Sequence, residues 1–119
     1  MAKTITLTLF KFLKQVNMSN KINRQIILVK RPSGKPQPDD FSLVDASVPV
    51  PEEGQVLCKT IYLSLDPYMR GRMNDSKSYA DPVKINEVMT GGTVGQVLKS
   101  RSTNFQQGDI VYGYGGWQD

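Results

Sequence analysis

Apolar and polar residues alternate along much of this 119-residue chain, and the alternation is that of strands. Its clearest stretch is Gln55 to Leu63. There Val56, Cys58, Thr60 and Tyr62 hold one phase and Leu57, Lys59, Ile61 and Leu63 the other, with β-branched and aromatic residues well represented. Arg24 to Lys30 reads as an earlier strand, stopped by the loop Arg31-Pro32-Ser33-Gly34-Lys35-Pro36, and Phe41 to Val44 reads as a second. Pro49, Pro51 and Gly54 form the turn before the third. Val88 to Lys99 reads as a strand interrupted by glycines, and Asp109 to Tyr112 begins another. Helical periodicity is almost absent, the one candidate being a short turn over Tyr68 to Met73. Short strands at this spacing predict a mainly β fold, an antiparallel barrel or sandwich.

The third strand stops at Pro67, which cannot donate to a sheet ladder and fixes its own φ, while Asp66 before it is pushed towards extended or turn geometry. Tyr68 is therefore delivered from a stiff corner, and the chemistry is expected there. Asp66 reads as a backbone acceptor fixing the turn rather than as an acid. Tyr62, inside the strand, reads as core, and Cys58 as a small buried hydrophobe.

Composition removes whole classes of function. The chain has no histidine and one cysteine, so it supplies neither the usual zinc ligand sets nor a Ser-His-Asp or Cys-His nucleophile, and no intrachain disulfide forms. No apolar run approaches the roughly 20 residues that span a bilayer, so no membrane partner is expected. The net charge of +4 suggests nucleic acid until it is divided along the chain. Residues 1–38 hold eight Lys/Arg and no acid, whereas residues 39–119 hold seven Lys/Arg against eleven Asp/Glu. The basicity belongs to the leader, and the body lacks the excess that phosphate binding needs. Residues 1–22 read as a basic, disordered leader, with a possible translation start at Met18. A secretory signal fits poorly, since Lys11 and Lys14 interrupt the apolar stretch. Without a convincing targeting signal, a cytoplasmic location is expected.

The run Tyr62-Leu63-Ser64-Leu65-Asp66-Pro67-Tyr68-Met69-Arg70-Gly71-Arg72-Met73 carries a resemblance beyond these patterns. Taken with Lys30-Arg31-Pro32, Gln55-Val56-Leu57, Ser78-Tyr79, Gly91-Gly92-Thr93-Val94-Gly95, Gly108-Asp109-Ile110-Val111 and Gly115-Gly116-Trp117-Gln118-Asp119, it resembles the zinc-independent medium-chain reductases. Within these it is most similar to the curcumin reductase and leukotriene/prostaglandin reductase group. The resemblance covers about Arg24 to Asp119. It implies that residues 23–119 form an incomplete GroES-like barrel, the N-terminal part of a substrate domain, and that the remaining barrel strands and a Rossmann domain are absent. No strand–GxGxxG–helix unit with a downstream acid is present to seat a pyrophosphate. The Gly91–Gly95 cluster sits in a strand pattern, where glycine marks a bulge or close backbone approach.

The resemblance further implies NADPH as cofactor and an α,β-unsaturated ketone or aldehyde as substrate, reduced at its C=C bond. It also implies no metal, and a homodimer in the full-length protein. Charge left on the carbonyl oxygen needs a donor, and a tyrosine hydroxyl suits because it stays protonated near neutral pH. Tyr68 and Tyr79 match tyrosines that line the cleft in the family and are the catalytic candidates. Pro67, Tyr68 and Met69 form the corner facing the nicotinamide. Two readings stand for Tyr79, a cleft residue or a loop anchor. Arg70 and Arg72 read as solvated charge, and Trp117 either as a pocket wall or as an exposed aromatic. A chain of this extent is expected to be inactive alone. The alternative to an enzyme fragment is a truncated, non-catalytic product or a small β module that binds a protein through its unpaired edges.

Overall fold

A computed structural model of the chain describes residues 22–76 and 80–119. Its elements in order are β1 (Ile22–Leu28), β2 (Phe41–Ser47), β3 (Val56–Leu63), α1 (Tyr68–Arg72), β4 (Thr93–Ser100) and β5 (Ile110–Gly113), with a 3-10 turn over Pro38–Asp40 leading into β2. β1 and β2 pair antiparallel, from Ile22 opposite Ser47 to Leu28 opposite Phe41. β3, β4 and β5 form a second antiparallel sheet in that order. The mainly β antiparallel class is the one expected, and among the described residues the sheets do not close into a barrel. β2 runs three residues past its expected end because Asp45, Ala46 and Ser47, poor strand formers on their own, find partners in Arg24, Asn23 and Ile22. The expected leader lies outside the described residues except for Ile22, which heads β1.

Two irregular segments join the sheets by serving the edge of β1 that β2 leaves open. Leu28 N–H donates to the Glu87 carbonyl (3.0 Å) and Met89 N–H to that of Ile26 (3.0 Å). Further along, Ile26 N–H donates to the Trp117 carbonyl (2.8 Å) and Asp119 N–H to that of Arg24 (2.9 Å). Thr60 N–H of β3 then donates to the Asp119 carbonyl (2.9 Å), so residues 117–119 lie between β1 and β3. The strand expected from Val88 therefore begins at Thr93. Val88 and Met89 are claimed by β1, and the Trp117 N–H donates back to the Met89 carbonyl (2.8 Å).

The period-two pattern of β3 is broken twice, by register shifts between Leu57 and Cys58 and between Thr60 and Tyr62. A one-residue slip moves every later side chain to the other face. The second shift leaves Ile61 as the extra residue on β3, so Tyr62, placed in the core by the alternation, turns to the other face and is 71% exposed. Cys58 is only half-buried, and that burial pushes its thiol pKa up. Opposite Thr60, β4 approaches so closely that a Cβ on Gly95 would stand 2.8 Å from the Lys59 carbonyl oxygen.

The core collects under α1: Leu28, Met69, Met73, Val83 and Met89 are buried, with Phe41, Tyr68 and Trp117 packed against them. Trp117 is thus a core aromatic, stacked on Phe41 at 5.5 Å between ring centres. No helix among the described residues is long and apolar enough to cross a membrane.

Candidate active site

The corner after β3 is built by short-range bonds. Ser64 N–H donates to the Gly92 carbonyl (2.9 Å), and Ser64 Oγ donates to Asp66 Oδ2 (2.7 Å). The Asp66 carbonyl accepts from Met69 N–H (3.1 Å), and that of Pro67 from Arg70 N–H (3.2 Å). The Asp66 carboxylate is thus a turn acceptor. Pro67, at φ −58°, is already in the conformation that starts α1. Below, Met69 and Met73 are each 4% exposed and dock the helix into the core.

Three arginines brace this corner through backbone carbonyls. Arg31 Nη1 donates to Met73 (3.1 Å) and Val83 (2.6 Å). Arg70 donates from Nε to Gly34 (2.8 Å) and from Nη2 to Pro32 (3.1 Å). Arg72 donates to Asp81 (3.0 Å), and its guanidinium lies 5.8 Å from the centre of the Tyr68 ring. Arg70 and Arg72, read from sequence as solvated, instead hold the loops around α1.

Of the residues expected to do chemistry, Tyr68 is half-buried, held between the core and Arg72, and Pro67 beside it is exposed. The Met69 side chain points into the core, leaving its backbone to the corner. Tyr79 lies outside the described residues, as do its neighbours Lys77 and Ser78.

Sequence reasoning missed Tyr112 and Tyr114. They are 70% and 75% exposed, and their rings meet edge to face at 5.9 Å between centres. Tyr112 lies over Gly92, where a Cβ would stand 3.1 Å from the phenol oxygen. The neighbouring Tyr114 phenol pushes the Tyr112 pKa up, with smaller contributions from burial, Tyr68 and Asp66. The only signal in the sequence was the alternation Tyr112-Gly113-Tyr114 at the exit of β5. Nothing local ties it to a corner more than forty residues earlier.

Gly91 and Gly92 are both buried, and side chains fill the space above each. A Cβ on Gly91 would stand 2.9 Å from Leu63 Cδ1 and 3.1 Å from Trp117 Cδ1. These glycines allow close packing and form no phosphate cradle. Lys59 is buried in β3, and desolvation lowers its pKa to about 8 although Asp119 pulls the other way.

The chain is similar to known reductases. It is 56% identical over 97 residues to the NADPH-dependent curcumin reductase of Escherichia coli (strain K12), a match covering 82% of this chain and 28% of that protein. The crystal structure of CurA from Vibrio vulnificus superposes with a TM-score of 0.79 at 56% identity, covering 82% of this chain and 29% of that one. CurA in complex with NADPH from Vibrio vulnificus gives 0.76 at 50% identity, over 81% and 29%. The chain thus spans little more than a quarter of the length of the relatives it matches. Residues 24–119 match the family described as the N-terminal domain of oxidoreductase, and the chain belongs to that family.

Proposed function

We propose that this chain forms the substrate-side wall of an NADPH-dependent reductase acting on the C=C bond of α,β-unsaturated ketones and aldehydes, with residues 23–119 as the first part of its substrate domain. The observation that carries the reading is the Tyr68 corner, a phenol fixed by Pro67, supported by the core and flanked by Arg72. NADPH, when bound, supplies a hydride for the β-carbon. The corner fits the ring end of that cofactor, since Pro67 is exposed and α1 is held rigidly beneath it. Pro67, Tyr68 and the Met69 backbone would hold the nicotinamide. The packed glycines do not fit the phosphates. Tyr68 donates a hydrogen bond to the carbonyl oxygen and stabilises the charge that gathers there as the double bond is reduced. Tyr79 is the second donor in this reading.

The test is NADPH oxidation by the full-length chain with an enone. Tyr68→Phe is expected to lower kcat by roughly 10²–10³, the loss typical of one oxyanion donor. Residues 1–119 alone are expected to show negligible turnover, because a cleft needs both walls to bind its transition state. Turnover by residues 1–119 at the full-length rate, or an unchanged Tyr68→Phe, would overturn the reading. A second reading, a β module binding another polypeptide, is favoured by an apolar groove of about 470 Å³ whose walls include Val56, Cys58, Phe105 and Val111. It predicts a stable complex with a protein partner and no NADPH oxidation in any form of the chain.

A further inference from the structure

Arg72 grips one short segment of chain with both its main chain and its side chain. Its carbonyl accepts from Val83 N–H (2.8 Å), and its Nη1 donates to the Asp81 carbonyl (3.0 Å). That segment is itself fixed, because Val83 is buried and its own carbonyl accepts from Arg31 Nη1 (2.6 Å). The Arg72 guanidinium therefore has a rigid seat. From that seat it meets Tyr68: the two residues stand four apart on α1 and share a face of the helix, with Arg72 Cζ 5.8 Å from the ring centre. Arg70 cannot take this place, since its fork is held by the Gly34 and Pro32 carbonyls and by Asn74 Oδ1 (2.7 Å).

A phenol that donates to a reacting oxygen must be set both in depth and in the plane of its ring. The core sets the depth, since Tyr68 packs against the cluster that holds Met69 and Met73. The plane matters because the phenolic hydrogen lies in it, so its angle decides where the hydrogen bond is aimed. A cation is drawn to the face of an aromatic ring and not to its edge. Seated on Asp81, Arg72 thus selects one plane for Tyr68.

We propose that Arg72 is a positioning residue of this site: its guanidinium, seated on the Asp81 carbonyl, sets the plane of the Tyr68 ring and so aims the phenol hydrogen at the substrate oxygen. The proposal rests on the reductase reading above, in which Tyr68 is the donor. Arg72 itself touches neither substrate nor cofactor. Its effect passes wholly through the Tyr68 hydroxyl.

The test follows NADPH oxidation with trans-4-phenyl-3-buten-2-one by the full-length chain and by Arg72→Met, Arg72→Lys, Tyr68→Phe and the double variant Tyr68→Phe/Arg72→Met. Arg72→Met is expected to lower kcat roughly three- to tenfold, the range of one cation–π contact, with KM for NADPH within about twofold of the parent. In the Tyr68→Phe background no hydroxyl remains to be aimed, and the same change is expected to alter kcat by less than about twofold. Arg72→Lys keeps a charge near the ring without the planar fork and is expected to recover part of the loss. An equal loss from Arg72→Met in both backgrounds overturns the proposal, since Arg72 then acts independently of the hydroxyl, and leaves the reductase reading standing. A second readout needs no turnover. In a chain carrying ¹³C-tyrosine, the Tyr68 ring signal, identified by its absence from Tyr68→Phe, is expected to move in Arg72→Met and to return towards the parent position in Arg72→Lys. An unmoved signal overturns the proposal. If the parent chain does not oxidise NADPH, the reductase reading fails, and this signal alone decides whether Arg72 sets the ring. If Arg72→Met does not fold, Arg72→Lys carries both readouts, with a kcat loss confined to the chain that keeps Tyr68 as the expected result and an equal loss in both backgrounds as the refutation.

Discussion

Replacing Gly95 by alanine tests whether the close approach of β3 and β4 sets the register of the sheet. The added Cβ would stand 2.8 Å from the Lys59 carbonyl oxygen and 3.4 Å from both the Lys59 carbonyl carbon and Cys58 Cβ. The first distance is well inside van der Waals contact, and the obstructing atom is backbone, so no rotamer change relieves it. The strands must part next to the register shift at Thr60, in a ladder that runs from Val56 opposite Ser100 to Leu63 opposite Thr93. Overpacking of this kind costs about 1–3 kcal/mol. Alanine restricts the unfolded chain more than glycine does, which offsets the loss by about 0.4–1 kcal/mol. A net destabilisation of roughly 0–2.6 kcal/mol remains, centred near about 1.3 kcal/mol, and each kcal/mol lowers the melting temperature of a domain this size by roughly 4–8 °C. Gly113, at the end of β5, is the internal control. It has nothing within 4 Å of its Cβ position, so Gly113→Ala is expected to be neutral or slightly stabilising. Urea unfolding followed by the fluorescence of Trp117, the one tryptophan, reads both variants, provided the denaturant slope is unchanged. Equal midpoints for Gly95→Ala and Gly113→Ala would refute the argument.

Gly71, inside α1 with open space at its Cβ position, is expected to gain about 0.5–1 kcal/mol on change to alanine, read as a higher urea midpoint. Met89→Ala empties a fully buried position and is expected to cost about 2–5 kcal/mol, with a red shift of Trp117 emission as the neighbouring core loosens. Lys59 gives a pH dependence whose sign is fixed. Its pKa falls from 10.5 to about 8 on folding, chiefly by desolvation, so between those pH values the unfolded chain holds a proton that the folded chain has released. Stability then rises with pH across that window. Lys59→Met is expected to be more stable than the parent at pH 7 and to flatten the rise, and a parent-like rise in the variant would refute it.

The features legible in the sequence are those fixed by neighbours along the chain. β3 and the Pro67 corner could be read because alternation and proline act locally, and α1 because Tyr68 to Met73 follows a residue already set at helical φ. Tyr62 could not be placed, because the register shift between Thr60 and Tyr62, set by the pairing with β4, reverses its face. Val88 and Met89 read as strand but belong to the edge of β1, a partner some sixty residues earlier that no local pattern encodes. Trp117 owes its burial to Phe41 and the core under α1, again a distant match. The candidate site divides in the same way. Tyr68 was visible from its own segment, whereas Tyr112 comes to lie over Gly92 only through the pairing of β4 with β5.

Residues 117–119 between β1 and β3 also impose an order on folding. The ladder they complete joins Arg24 and Ile26 to residues more than ninety positions later. Contacts of that separation form slowly, because the intervening chain must be closed before any bond rewards it. During synthesis β1 and β2 emerge early and pair at once, but the far edge of β1 stays unserved until Met89 has been made, and its Arg24 end until Asp119 has been made. An open strand edge of this kind invites pairing with another chain. The interval between the synthesis of Leu28 and that of Asp119 is therefore when a newly made chain is most exposed to misassembly, and a holding chaperone has most to protect there.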